Sequence, residues 1–297
     1  MEFNILNKNN ISIIDNKDII YNMTPIMNNL FAVNFKHKVI IYDSLYFSIK
    51  YIIDCKKYRV YYILLLKDNT LITSSYNAII NLYKLNSETN SYECFQTIKD
   101  HYFLTVKLIQ LENENIFSIS LDKSLMAYKK DSDNKYRYFF KMIITQKIYN
   151  VIEIKSNILC FTSKNAIYFL DLDQQIIFNK IENINLNEFL INNMILINNM
   201  LLIGGYGIYL IDINNYNIIK KVEIENNNCI HCILKIDNKI FLTGDLNCNI
   251  KQYKLINNEI QLKYTKSNAH KKCIRNLIKI NKKIISGGVD CLIKIWE

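Results

Sequence analysis

A motif of two apolar, alternating segments around a tight turn returns seven times in this chain at a nearly constant interval. Its clearest copy, Ile284 to Glu297, reads IISGGVDCLIKIWE. Aligned on the residue that ends the second segment, the copies bring Tyr42, Tyr83, Tyr128, Leu170, Ile211, Tyr253 and Trp296 into register. The intervals are 41, 45, 42, 41, 42 and 43 residues. Twelve residues ahead of most anchors stands a large apolar side chain: Leu30, Leu71, Ile116, Ile158, Phe241 and Ile284. Ten residues ahead stands a small one: Ala32, Thr73, Ser118, Cys160, Thr243 and Ser286. Only the fifth copy, MLLIGGYGIYLID, departs from these offsets, through a shorter turn at Gly204 and Gly205.

A third apolar segment precedes each of the later hairpins: VYYILLL, VKLIQL, VIEIKS, MILIN, CILKI and IRNLIKI. Helical repeats of similar length would space apolar residues at three and four; here alternation dominates and β-branched Ile is abundant. A period of about 40–45 residues with several strands per unit is the signature of a propeller. The expected fold class is therefore all-β, a seven-bladed β-propeller of four-stranded antiparallel blades. Length alone suggests two domains, but the repeat makes residues 1–297 a single propeller domain.

The seventh copy resembles the WD-repeat β-propeller family. Ala269-His270 stands where that family has Gly-His, and Trp296-Glu297 where it has Trp-Asp. The resemblance extends over almost the full length and implies a structural hydrogen-bond network of His270, Ser286, Asp290 and Trp296. The third copy keeps His101, Ser118 and Asp122, with Tyr128 in place of Trp. Asn247 and Asn77 occupy the Asp position in the sixth and second copies, Lys36 and Lys164 in the first and fourth. Blades 1, 4 and 5 are thus expected to lean on apolar packing. The resemblance, with the need to cover sheet edges, also implies closure: an N-terminal strand, FNIL or ISIID within residues 2–15, completes the C-terminal blade.

Composition limits the rest. Hydrophobic residues make up 50% of the chain, enough to fill the space between packed sheets. No apolar run approaches the roughly 18 residues of a membrane span, and MEFNILNKNN is too polar for a signal peptide. The expectation is an intracellular protein, cytoplasmic or nuclear, with its eight cysteines reduced. Cys229-Ile-His-Cys232 has no second ligand pair at metal spacing, so no metal site is expected.

Net charge is +10, from 37 Lys and Arg against 27 Asp and Glu. Only Arg59, Arg137 and Arg275 are arginines, although Arg is the better reader of phosphates and bases. The basic clusters, Lys56-Lys57-Tyr58-Arg59, Lys129-Lys130, Lys220-Lys221 and His270-Lys271-Lys272 with Arg275, fall in different copies. With six glycines and no Gly-rich phosphate loop, no nucleophile beside a plausible base and no cofactor motif, the chain is expected not to be an enzyme. A small-ligand pocket would need convergent polar groups, which the sequence does not display.

What remains is surface. The residue seven before each anchor should project from the hairpin turn: Phe35, Tyr76, Leu121, Ser163, Leu246 and Val289, with the fifth near Tyr206. Apolar residues at turn positions point to a protein-binding surface, so Phe35, Tyr76, Leu121, Leu246 and Val289 are the candidate partner-binding residues. The function expected is a scaffold or adaptor subunit of a larger complex, binding proteins. The alternative is a ribosome-associated or RNA-processing component using Lys-rich loops on phosphates.

Overall fold

The computed structural model of the chain describes residues 11–15, 18–27, 29–55, 58–186, 193–224 and 228–296. Among these, strands and turns dominate without a helix, and the strands form seven four-stranded antiparallel sheets. Each sheet corresponds to one copy of the repeat, so the fold class is a seven-bladed β-propeller. Numbered along the chain, blade 1 covers 23–54, blade 2 60–98, blade 3 105–143, blade 4 150–182, blade 5 194–223 and blade 6 230–266. Blade 7 takes 274–296 together with Ile11–Asp15.

The chain forms two compact units, one within residues 1–35, 42–48 and 192–297, the other within residues 36–41 and 49–191. The second unit contains blades 2, 3 and 4. In blade 3 every residue of the second strand, Ile116–Ser120, is buried, because a middle strand is covered on both faces. The fourth strand of blade 4, Ile176–Glu182, alternates between half-buried and exposed residues, as a strand with one covered face does.

In the first unit, the contact between blades 5 and 6 is built from Leu202, Leu210, Ile230 and Phe241. Between blades 6 and 7, Cys232, Leu242, Ile274, Ile284 and Trp296 form the core. Gly244 sets this second spacing. A Cβ placed there would stand 2.7 Å from Ile274 Cγ2 and 2.8 Å from Cys232 Sγ, too close for either to remain.

Three residues separate the second and third strands in blades 3 and 7, and four in blades 2 and 6, although the turn is built without glycine at its left-handed position. Ala78, Lys123, Cys248 and Cys291 all take φ between 66° and 69° there, the left-handed geometry that short hairpin loops use. In blade 5 the strands Met200–Gly204 and Gly207–Asp212 leave only residues 205 and 206 between them. The shortened turn explains why this copy breaks the sequence offsets.

Ile11–Asp15 lies antiparallel beside Leu292–Trp296, with Ile11 opposite Trp296 and Asp15 opposite Leu292. This strand is the segment ISIID, and FNIL lies outside the described residues.

Candidate interaction surface

The polar networks come first, because they decide which histidines are already engaged. In blade 7, His270 sits on the connector ahead of the first strand, with Asp290 in the hairpin turn. Trp296 Nε1 donates to Ser286 Oγ at 2.9 Å, and Ser286 Oγ lies 2.7 Å from His270 Nε2. His270 Nδ1 stands 2.9 Å from Asp290 Oδ1, and the Lys271 backbone N–H donates to Asp290 Oδ2 at 2.8 Å. An ionised carboxylate only accepts, so Nδ1 carries the imidazole proton and Nε2 accepts from the serine. Burial lowers the His270 pKa more than Asp290 raises it, which keeps the ring neutral. Burial works to raise the Asp290 carboxyl, but its bonds from Lys271 and His270 prevail and hold it below its usual value.

Gly288 is needed for this geometry. A Cβ there would fall 2.5 Å from Asp290 Oδ1 and 2.7 Å from His270 Nδ1.

Blade 3 repeats the arrangement. His101 Nε2 meets Ser118 Oγ at 2.6 Å, and Nδ1 meets Asp122 Oδ2 at 3.1 Å. The Tyr102 backbone N–H donates to the same carboxylate at 2.8 Å. Tyr128, in the Trp position, also hydrogen-bonds Ser118, and its hydroxyl stands 3.3 Å from Met126 Sδ. Blade 6 lacks the histidine and uses Asp245, which accepts from Asn228 Nδ2 and the Asn249 backbone N–H, each at 2.8 Å. Asn247, at the family's Asp position, contributes its backbone N–H to Asn228 Oδ1. Blades 1 and 4 carry aromatic stacks, Phe31 on Tyr42 at 5.5 Å and Phe161 on Tyr168 at 4.9 Å. Lys164 is exposed in its turn.

The hairpin-turn positions divide into three kinds. Tyr76 and Leu246 project, at 42% and 44% exposure. Leu121 and Val289 are half-buried. Phe35 is only 9% exposed and Ser163 is buried. Phe35 ends the strand Leu30–Phe35 rather than entering the turn, because the next strand resumes at Lys38. Tyr76 packs edge-on against Tyr61 at 5.4 Å, with the Arg59 guanidinium 5.6 Å from its ring centre.

More exposed apolar residues lie on blade 3. Tyr102 and Phe103, directly after His101, are 84% and 61% exposed. Tyr138, Phe139 and Ile143 on the fourth strand, Tyr136–Ile143, are exposed as well. Lys141 Nζ stands 5.3 Å from the Tyr102 ring centre, which places the connector against that strand. The His101–Asp122 network explains the exposure: anchoring the Tyr102 backbone N–H on Asp122 leaves the Tyr102 and Phe103 side chains outside. The repeat offsets point only to turn positions, and these residues lie elsewhere. Two consecutive aromatics after a network histidine were the missed signal.

The basic clusters are partly neutralised. Lys130 pairs with Asp68 at 2.8 Å, Lys220 with Glu259 at 2.8 Å and Lys221 with Glu223 at 2.9 Å. Lys271 and Lys272 are exposed, and Lys56 and Lys57 lie outside the described residues. A cleft of about 410 Å³ lies between the last strand of blade 5 and blade 6, with Glu223, Asn228, Asn249, Lys251 and Tyr253 on its walls.

No family model matches the chain, and no curated protein matches it. Among solved structures, a chain of the "Crystal Structure of Mitotic Checkpoint Complex" superposes with a TM-score of 0.80. The match covers 96% of this chain and 90% of that one at 12% sequence identity. The likeness is one of fold. Propellers serve many unrelated functions, so the site must speak for itself.

Proposed function

We propose that this chain is a non-enzymatic interaction scaffold, a WD-repeat-type propeller that binds protein partners as a subunit of a larger assembly in the cytoplasm or nucleus. One observation carries the reading: the exposed aromatic and aliphatic side chains of Tyr102, Phe103, Tyr138, Phe139 and Ile143 on blade 3. Exposed apolar groups mark protein interfaces, and aromatic anchors dominate their binding energy. The structural match to a chain of a multi-subunit complex agrees with it. His101 and His270, the histidines with a nearby serine and carboxylate, have both ring nitrogens engaged in structure rather than poised for catalysis.

The test is capture by the full chain against a variant with Tyr102, Phe103 and Tyr138 replaced by Ser, with nuclease-treated and untreated arms. The expected result is capture that survives nuclease and is lost in the variant, whose unfolding midpoint stays within about 0.5 kcal/mol of the parent. Equal capture by both proteins would reject the surface. Capture lost on nuclease treatment, and falling steeply with salt, would favour the ribonucleoprotein alternative.

A further inference from the structure

His231 and Arg275 occupy the same place in neighbouring repeats. Each is the extra residue of a β-bulge in the first strand of its blade. The register jumps between Ile230 and Cys232 in blade 6, and between Ile274 and Asn276 in blade 7. Bulges re-aim side chains. These two adjoin, since the Cys232 thiol reaches the Ile274 carbonyl at 4.0 Å.

His231 is 7% exposed, and among the described residues neither ring nitrogen has a hydrogen-bond partner. The Arg275 Nε is also buried without a partner, although the residue as a whole is only half-buried. The Arg275 guanidinium hydrogen-bonds the Cys273 side chain. Asp245, at the end of the second strand of blade 6, is committed to Asn228 and Asn249. Burial, then the Arg275 charge, push the His231 imidazole down to about 4. The place is electropositive, rich in donors and short of acceptors.

Buried donors without acceptors are uncommon and call for an explanation. A cation does not fit. The Cys229 and Cys232 thiols are turned to the Ile230 and Ile274 carbonyls, and a guanidinium beside the imidazole repels positive charge. We infer that His231 and Arg275 form an oxyanion-binding subsite, which takes a carboxylate or a phosphoryl group. The planar guanidinium presents Nε–H and a terminal N–H at the spacing of two such oxygens. The neutral imidazole supplies one further N–H. This inference goes beyond the scaffold reading and stands whether or not proteins dock on blade 3.

The experiment follows the His231 ring resonances of the full chain by NMR, assigned with His231→Gln, during titration with inorganic phosphate or with acetate. Chloride at matched ionic strength is the reference. A saturable shift with phosphate, acetate or both is expected, and the responding anion tells a phosphoryl from a carboxylate ligand. Arg275→Gln should weaken the response roughly tenfold or more, because a charge-assisted pair is lost. Arg275→Lys, which keeps the charge and removes the fork, covers the case in which the Gln variant fails to fold, and should also weaken binding. His231 resonances that move no more than in chloride would overturn the inference. So would Arg275 variants that bind as the parent does.

Discussion

His270 and His231 lie in adjacent blades of one compact unit, buried at 2% and 7% exposure, and their surroundings treat them in opposite ways. His270 spends both nitrogens, one on Ser286 and one on Asp290, and ties a connector, a strand and a turn together. His231 spends neither. Residue type and depth are shared, so neighbouring groups alone make one histidine a structural pin and leave the other available. The same contrast separates blade 7, fixed by a directional network, from blades such as 4, which stack aromatic rings. A network of this kind specifies one geometry when complete and is costly when broken.

The largest loss is expected when blade 7 is stripped of its partner strand. Deleting residues 1–15 uncovers the edge of Leu292–Trp296, and the expected loss is on the order of 4 kcal/mol from about as many ladder hydrogen bonds. Urea unfolding of the truncated chain checks this, and a midpoint equal to the parent's would remove the pairing from any account of blade 7.

Next come the two histidines themselves. His270→Ala leaves Ser286 Oγ and the Asp290 carboxylate without their shared partner, with an expected cost of about 3 kcal/mol. His231→Leu removes two unsatisfied nitrogens at similar volume, and is expected to change stability by less than about 1 kcal/mol, in either direction. Equal losses from both would erase the distinction drawn here.

Acid sharpens the contrast further. Both imidazoles are held below their ordinary value of 6.5, so the unfolded chain binds protons that the folded chain refuses. Stability that is full above about pH 6.5 should fall as the pH drops, for His231 continuing down to about 4. The slope is about 1.4 kcal/mol per pH unit for each such histidine. Arg275 is the charged neighbour that reinforces the effect at His231. In His231→Leu the curve should flatten across that window, and an unchanged curve would mean that another group titrates.

The smallest effects belong to the turns. Tyr76→Ser and Leu246→Ser should each move stability by no more than about 0.5 kcal/mol, whereas Phe35→Ser should cost about 3 kcal/mol as a core truncation. Thermal melts of the three variants would show whether equal sequence offsets conceal unequal burial.

The blade pattern was legible because a hairpin's two offsets recur wherever an apolar residue must face the next sheet. The networks of blades 3 and 7 were legible through the resemblance to the WD-repeat pattern, although His101 stands 17 residues before Ser118 and His270 16 before Ser286. Phe35 was misplaced among projecting residues, since a fixed offset cannot register that its turn begins one residue later. Asp245 and Asn228 were not foreseen, because blade 6 solves the same turn with different chemistry. That His231 and Arg275 hold equivalent positions was not legible for another reason: a bulge adds a residue to one strand, and only the pairing register reveals it.

The antiparallel pairing of Ile11–Asp15 with Leu292–Trp296 also carries a consequence in time. On a ribosome, Ile11–Asp15 must wait for Leu292–Trp296, an interval of roughly 15–60 s at ordinary elongation rates. Six blades can assemble from local hairpins as they emerge, while the seventh depends on a contact between strands far apart in sequence. The strand that waits is an open edge throughout synthesis, and so the stretch of the nascent chain most exposed to mispairing.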